Sequence, residues 1–129
     1  MRRIMLDTNF LLIPAQFKVD IFSEMHRICD FSYELLVLDK TLDELKGIVE
    51  KQKGRHKKAA KLALALLNAK KVKILRTAQE GSVDDILKKT ASKEDIVATQ
   101  DRELRRALRK KGISLIALRQ KKYLTITNP

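Results

Sequence analysis

A chain of 129 residues is one domain, long enough to bury a core without disulfide or metal staples. Its 44% hydrophobic and 34% charged composition is that of a soluble globular protein, with no apolar run near the roughly 20 residues of a membrane span. Lys and Arg number 28 against 16 Asp and Glu, and the +12 balance points to a polyanionic partner, nucleic acid ahead of a membrane surface.

The N-terminal "RIMLDT" reads as a strand that stops on Asp7, and "MRRIMLDTNF" is too polar for a signal peptide. "VDIFSEMHRICDF" carries a helical stripe through Val19, Phe22, Met25, Ile28 and Cys29. "YELLVLD" is a second strand, again ending on an acid, and "KTLDELKGIVEKQK" is a helix that stops near Gly54. "HKKAAKLALALLNAK" is an Ala/Leu helix and "VKIL" a short strand. "VDDILKKTA" is a helix, "DIVAT" a strand, "RELRRALRKKG" a helix ending at Gly112, "SLIAL" a strand, and "YLTIT" an edge strand. Alternation of this kind predicts an α/β fold, a single domain over 1–129 with a mostly parallel twisted sheet covered by helices on both faces. The lone Cys29 excludes an internal disulfide and fits a reducing, cytoplasmic setting.

Ligands of open α/β sheets bind beyond the carboxyl ends of the strands. Asp7 stands at that end of the first strand, Glu44 in the first turns of the helix after the second, and Asp101 after "IVATQ". Asp84 opens the helix before that strand. If the first and fourth strands are neighbours at a switch point, Asp7 and Asp101 face each other. Four carboxylates in one place repel unless a cation neutralises them, and hard oxygen donors select Mg²⁺ or Mn²⁺.

Each acid also has a capping role open to it. Asp7 can cap a short helix beginning near Asn9, and Asp101 can cap "RELRRALRKKG". "TLDE" (Thr41 to Glu44) and "SVDD" (Ser82 to Asp85) both resemble the capping-box pattern, with Asp a weaker third-position partner than Glu. Successive helical residues point about 100° apart, so Asp84 and Asp85 cannot both reach one ion. Asp85, three residues after Ser82, is the cap partner and only a supporting residue; Asp84 is free to face the site.

Taken together, "LDTNF", "LDELKGI", "SVDDIL" and "IVATQDREL" resemble the four acidic motifs of PIN-domain nucleases, in order, from Asp7 to about Leu118. Two departures are Val83, where that family often has Ala, and the short connection "KKTASKED". "DTNFLL", "VDIF" and "VATQDRELRRAL" look more like the ribosomal-RNA-processing branch and its archaeal relatives than like VapC toxins. The resemblance implies a single PIN-like domain and an endoribonuclease dependent on Mg²⁺ or Mn²⁺. It carries the acidic cluster onto Asp7, Glu44, Asp84 and Asp101, with Asn9 and Thr99 orienting carboxylates by hydrogen bonds. For Asn9 a helix cap, and for Thr99 simple strand packing, are the plain alternatives.

No histidine is needed for such chemistry, and His26 and His56 fall outside the motifs as structural or solvated residues. Seven Lys or Arg lie between Lys46 and Lys61, and nine between Arg102 and Lys122. Arg102, Arg105, Arg106 and Arg109 recur at helical spacing beside Asp101, as a phosphate track would. With aromatics at 5% and Trp absent, base stacking on an aromatic platform is poorly supported. Three functions compete. The first is RNA processing, ribosomal RNA maturation foremost, with RNA and ribosome-assembly proteins as partners and an oligomer allowed. The others are a VapC-like toxin and a non-catalytic RNA-binding assembly factor.

Overall fold

In the computed structural model, which describes residues 1–129, the first apolar run is β1 (Arg2–Leu6). Three short helices follow: α1 (Thr8–Leu11), α2 (Ile13–Phe17) and α3 (Ile21–Ile28). Next come β2 (Tyr33–Leu38), α4 (Asp39–Lys51), α5 (Gly54–Ala69) and β3 (Lys73–Leu75). The chain closes with α6 (Val83–Thr90), β4 (Ile96–Ala98), α7 (Arg102–Lys110), β5 (Ser114–Arg119) and β6 (Tyr123–Thr127).

The six strands form one sheet in the order β3-β2-β1-β4-β5-β6. All neighbours are parallel except β5 and β6, so the expected α/β class with a mostly parallel sheet is what the chain adopts. β1 pairs with β2 on one side and β4 on the other, Met5 lying opposite both Leu36 and Val97. The chain therefore winds outward from β1 to β3, returns, and winds the other way, and the switch point falls between β1 and β4. Right-handed crossovers running in opposite directions place their helices on opposite faces.

The two faces follow from strand alternation. Ile4, Leu6, Val37, Ile96, Ala98 and Ile116 point into the larger core, which takes in residues from α1 through α5. Met5, Leu38, Val97 and Leu115 point the other way, against Val83, Ile86 and Leu87 of α6 and Leu104 and Leu108 of α7. Burying Leu104 and Leu108 contributes about 1.5–3 kcal/mol each and holds a helix whose outer surface is almost wholly arginine and lysine. α7 ends as its sequence predicts, with Gly112 at φ +78 and Ile113 N–H donating to the Leu108 carbonyl. At the opposite edge of the sheet Arg3 grips Asp95 with two hydrogen bonds, of 3.0 and 2.9 Å, and Asp95 is only 3% exposed.

Several elements differ from the sequence expectation. "FLLIPAQF" forms two helical segments, with Pro14 in the first turn of α2, where its missing N–H leaves no donor unmet. The stripe from Val19 is helical only from Ile21, because the Asp20 carboxylate caps Phe22 and Ser23. The "TLDE" capping box does not form. α4 begins at Asp39, and Thr41 lies inside it, fully buried with its hydroxyl unpartnered. The Asp39 carboxylate binds Thr77 and Lys40 backbone N–H instead, which ties the acid ending β2 to the loop after β3. α4 stops at Lys51, three residues before Gly54, and Gly54 starts α5. No helix is long and apolar enough to cross a membrane.

Candidate active site

The carboxyl ends of β1 and β4 meet at the switch point, where Asp7 N–H donates to the Ala98 carbonyl at 2.9 Å. That bond continues the β1–β4 ladder by one residue and fixes Asp7 beside Thr99. Asp7 is 2% exposed, and Thr99 is wholly buried. Thr99 Oγ1 donates to Asp7 Oδ2 at 2.6 Å and accepts the Asp101 backbone N–H at 3.1 Å. Asp7 Oδ1 accepts the Thr8 N–H at 2.8 Å, so Asp7 is also the cap of α1.

Asp101 caps α7, its Oδ1 accepting the N–H groups of Glu103 and Leu104 at 2.9 and 3.1 Å. One oxygen is thereby committed to the helix while Oδ2 is left for other work. Glu44, one turn and more into α4, accepts a 2.5 Å hydrogen bond from Thr8 Oγ1. Asn9 is not a cap. It sits within α1, where its Oδ1 accepts the Gln100 N–H at 3.1 Å and braces the β4–α7 loop against β1.

Asp84 projects from the first turn of α6, half-buried. Ser82 caps that turn by accepting the Asp85 N–H at 3.2 Å. The Asp85 carboxylate turns back over Gly81, 3.4 Å from where a Cβ there would sit, and so is spatially a part of the helix start rather than of the acid group. Only the half of the "SVDD" box that runs from Ser82 is made.

The charges show how close the acids are. Burial raises the Asp7 carboxyl above its usual value, against the bonds from Thr99 and Thr8, and the charges of Glu44 and Asp101 raise it further. Asp84 is pushed up to about 6 by burial, by the Asp7 charge, and by its hydrogen bond to and charge from Asp101. Asp101 is held low by the Leu104 N–H and then, against burial, by its bond with Asp84 and the Glu103 N–H. Burial and neighbouring carboxylates thus oppose the ionised form of Asp84, while the α7 N–H groups favour that of Asp101.

This donor set suits a hard divalent cation in charge and chemistry. No three His, Cys, Asp or Glu side chains surround one point closely enough to hold an ion unaided. Thr8 draws Glu44 toward α1, and α7 occupies Asp101 Oδ1. The fit is therefore to an ion that keeps several of its waters and is held by one or two carboxylates, the usual mode of Mg²⁺.

Beside the acids lies a positive wall. Arg105 is half-buried, and burial together with the charges of Arg119, Arg109 and Arg102 lowers its pKa. The ion pairs of the chain are Arg3–Asp95, Arg27–Glu24 and Lys73–Glu34, so none of these four arginines has a carboxylate partner. Arg106 is exposed on the same helix. Arg119, from the far end of β5, was not foreseen because it belongs to another element. Lys88 was also missed: its charge favours the ionised forms of both Asp84 and Asp101, and its position four residues after Asp84 was a usable signal. His26 and His56 are both exposed and away from the acids.

The family described as PIN-like domain matches residues 4–121. Ribonuclease VapC4 of Methanocaldococcus jannaschii is 33% identical over 129 residues, covering 98% of this chain and 97% of its own. Among solved structures, the PIN domain endonuclease Utp24 superposes with a TM-score of 0.80 at 21% identity, over 98% of this chain and 92% of the other. A domain of a functionally unknown protein from Methanocaldococcus jannaschii superposes with a TM-score of 0.63 at 15% identity, over 92% of each chain.

Proposed function

The chain belongs to the PIN-like domain family, and from that premise we propose that it is a divalent-metal-dependent endoribonuclease of RNA processing, with ribosomal RNA maturation as its setting. The observation that carries this reading is the mutual crowding of Asp7, Asp84 and Asp101 at the β1–β4 switch point, beside arginines that form no ion pair. A structural ion-pair network would match each charge with its opposite; here like charges are kept together on both sides of a boundary. Such segregation suits a cation on one side and a phosphodiester on the other.

Asp7, Glu44, Asp84 and Asp101 would hold Mg²⁺ or Mn²⁺. The chemistry such an ion supplies when bound is a water of lowered pKa and neutralised charge at the scissile phosphate. The chain's own residues do the positioning. Thr99 fixes Asp7 and the Asp101 backbone in one hydrogen-bonded unit, Thr8 orients Glu44, and Asn9 holds the loop that carries Asp101. Arg102, Arg105, Arg106 and Arg109 then bind RNA phosphates leading to the acids, with Arg119 alongside. The working compartment in this reading is the cytoplasm, and ribosome-assembly proteins are partners to seek.

A second reading is favoured by one observation, the 33% identity to a protein named as a VapC ribonuclease. It keeps the chemistry and changes the setting: a toxin restrained by an antitoxin. Purified protein incubated with ribosomal precursor RNA and Mn²⁺ tests the main reading, which expects cleavage at defined positions that stops in EDTA. Growth arrest on expression, relieved by the product of an adjacent small reading frame, would transfer the protein to the toxin class. No cleavage of any RNA with Mg²⁺ or Mn²⁺ would overturn the nuclease assignment itself.

A further inference from the structure

Glycine destabilises the interior of a helix relative to alanine, and its missing side chain lets a ligand come close to the backbone. Gly47 lies inside α4, yet a Cβ built on it would meet no atom within 4 Å. Nothing in the chain itself needs the space. Gly47 instead lines an open groove of about 520 Å³ with Thr8, Glu44, Ile48, Lys51 and Gln52.

Glu44, Gly47, Ile48 and Lys51 recur at the spacing that puts them on one face of α4, over roughly 10 Å of helix axis. The groove is continuous with the acids at one end, because Thr8 and Glu44 belong to both and are hydrogen-bonded to each other. At its other end stands Lys51, followed in the chain by Lys53, Arg55 and Lys58, all exposed and none in an ion pair. Acids at one end, a bare backbone and an apolar side chain in the middle, and cations at the other form a graded surface. Asp43, also on the lip beside Glu44, adds a second carboxylate to the acidic end.

We propose that this face of α4 seats a single-stranded RNA segment flanking the scissile phosphate, with Gly47 as the point where the nucleotide chain rests against the helix backbone. The inference rests on the nuclease reading and adds to it the path of the substrate. Ile48 supplies an apolar wall for a ribose or base, and Lys51 contacts the next phosphate. An unpaired strand suits the site because its sugars and bases can reach a backbone floor, whereas a duplex meets a protein mainly through its phosphates and minor-groove hydroxyls.

The test measures binding of a fluorescein-labelled, mixed-sequence single-stranded RNA by anisotropy, in an Asp7→Asn background so that the RNA stays intact. Gly47→Ala should raise the melting temperature, since alanine is the better helix former and has room, and should weaken RNA binding. Gly47→Leu should weaken it further, on the order of tenfold, and Lys51→Gln should reduce the salt slope by about one. In the active protein Gly47→Ala should raise KM and leave kcat unchanged. A more stable Gly47→Ala protein with unchanged affinity and KM would overturn the groove while leaving the nuclease reading standing. A lower melting temperature would show that the chain itself needs the space, and would overturn it too. Failure of the parent protein to bind any RNA would remove both.

Discussion

Thr99 Oγ1 donates a 2.6 Å hydrogen bond to Asp7 Oδ2, and the same hydroxyl accepts the backbone N–H of Asp101. One buried side chain thus sets the position of two acids that are 94 residues apart in sequence. Replacing Thr99 by Val keeps the shape and removes both bonds. The Asp7 carboxylate then lacks its strongest neutralising donor, so stability should fall by about 1–3 kcal/mol in denaturant titration. Cleavage should fall with it, and Thr99→Ser should recover most of both losses. A Thr99→Val protein as stable and active as the parent would reduce Thr99 to a packing residue.

Asp7→Asn should abolish cleavage with the fold intact, because the amide retains the shape but not the charge that a divalent ion needs. Asp101→Asn should do the same, and α7 should survive it, since Asn caps a helix about as well as Asp. Circular dichroism separates loss of activity from loss of structure. Full turnover by a folded Asp7→Asn protein in saturating Mn²⁺ would remove the catalytic assignment. Asp85→Asn, by contrast, should retain activity, since its carboxylate lies over Gly81 rather than among the acids.

How much of this was legible beforehand depended on whether a residue's role is local. Asp7 and Asp101 were readable because a strand that breaks off on an acid marks the ligand-binding edge of a parallel sheet. The sheet alternation was equally open, since Ile4, Met5 and Leu6 must divide between two cores. Thr41 was misread because a capping box is a pattern of side chains and not of helix starts. Asp39 bonds to Thr77, 38 residues on, and α4 begins there. Arg119 and Lys88 were hidden for a related reason: only the folded chain sets β5 and α6 beside the arginines and acids they join.

Divalent cations should raise the melting temperature of the parent protein, because an ion bound by the native state alone adds stability through linkage. Burial first, and then the charges of Asp7 and Asp101, push Asp84 up to about 6, and such an ion relieves the repulsive part. A variant with Asp7, Glu44, Asp84 and Asp101 all changed to amides should be more stable than the parent without metal, and insensitive to its addition. An equal rise in both proteins, followed by scanning calorimetry, would place the cation elsewhere.

The Arg3–Asp95 pair predicts where acid weakens the fold. Burial works to raise the Asp95 carboxyl, but the two bonds from Arg3 and the N–H of Ser92 overcome it and leave the group below its ordinary value. A depressed carboxylate stabilises the native state above its unfolded pKa of about 4, and that stability is lost as pH falls through the lower folded value. Asp95→Asn should therefore cost about 1–3 kcal/mol at neutral pH and show a smaller loss on acidification than the parent. Parallel pH profiles for the two proteins would mean that the pair contributes nothing.

The arginines beside the site give the sharpest distinction between guidance and chemistry. Burial and the charges of Arg119, Arg109 and Arg102 weaken the hold of half-buried Arg105 on its proton. The Asp101 charge offsets part of that repulsion and no ion pair offsets the rest, so a bound polyanion should. Changing Arg102, Arg105 and Arg109 to Gln should weaken RNA binding across unrelated sequences and flatten the salt dependence by about one unit of slope per lost phosphate contact. Arg119→Gln alone should do the same in smaller measure. The helix should remain, because Gln is nearly as good a helix former as Arg and Leu104 and Leu108 still anchor the inner face. Cleavage positions on a good substrate should not move, since phosphate contacts carry no base information. Unchanged affinity and slope in the triple variant would leave the arginines as a solvated face, and RNA would then reach the acids from the α4 side alone.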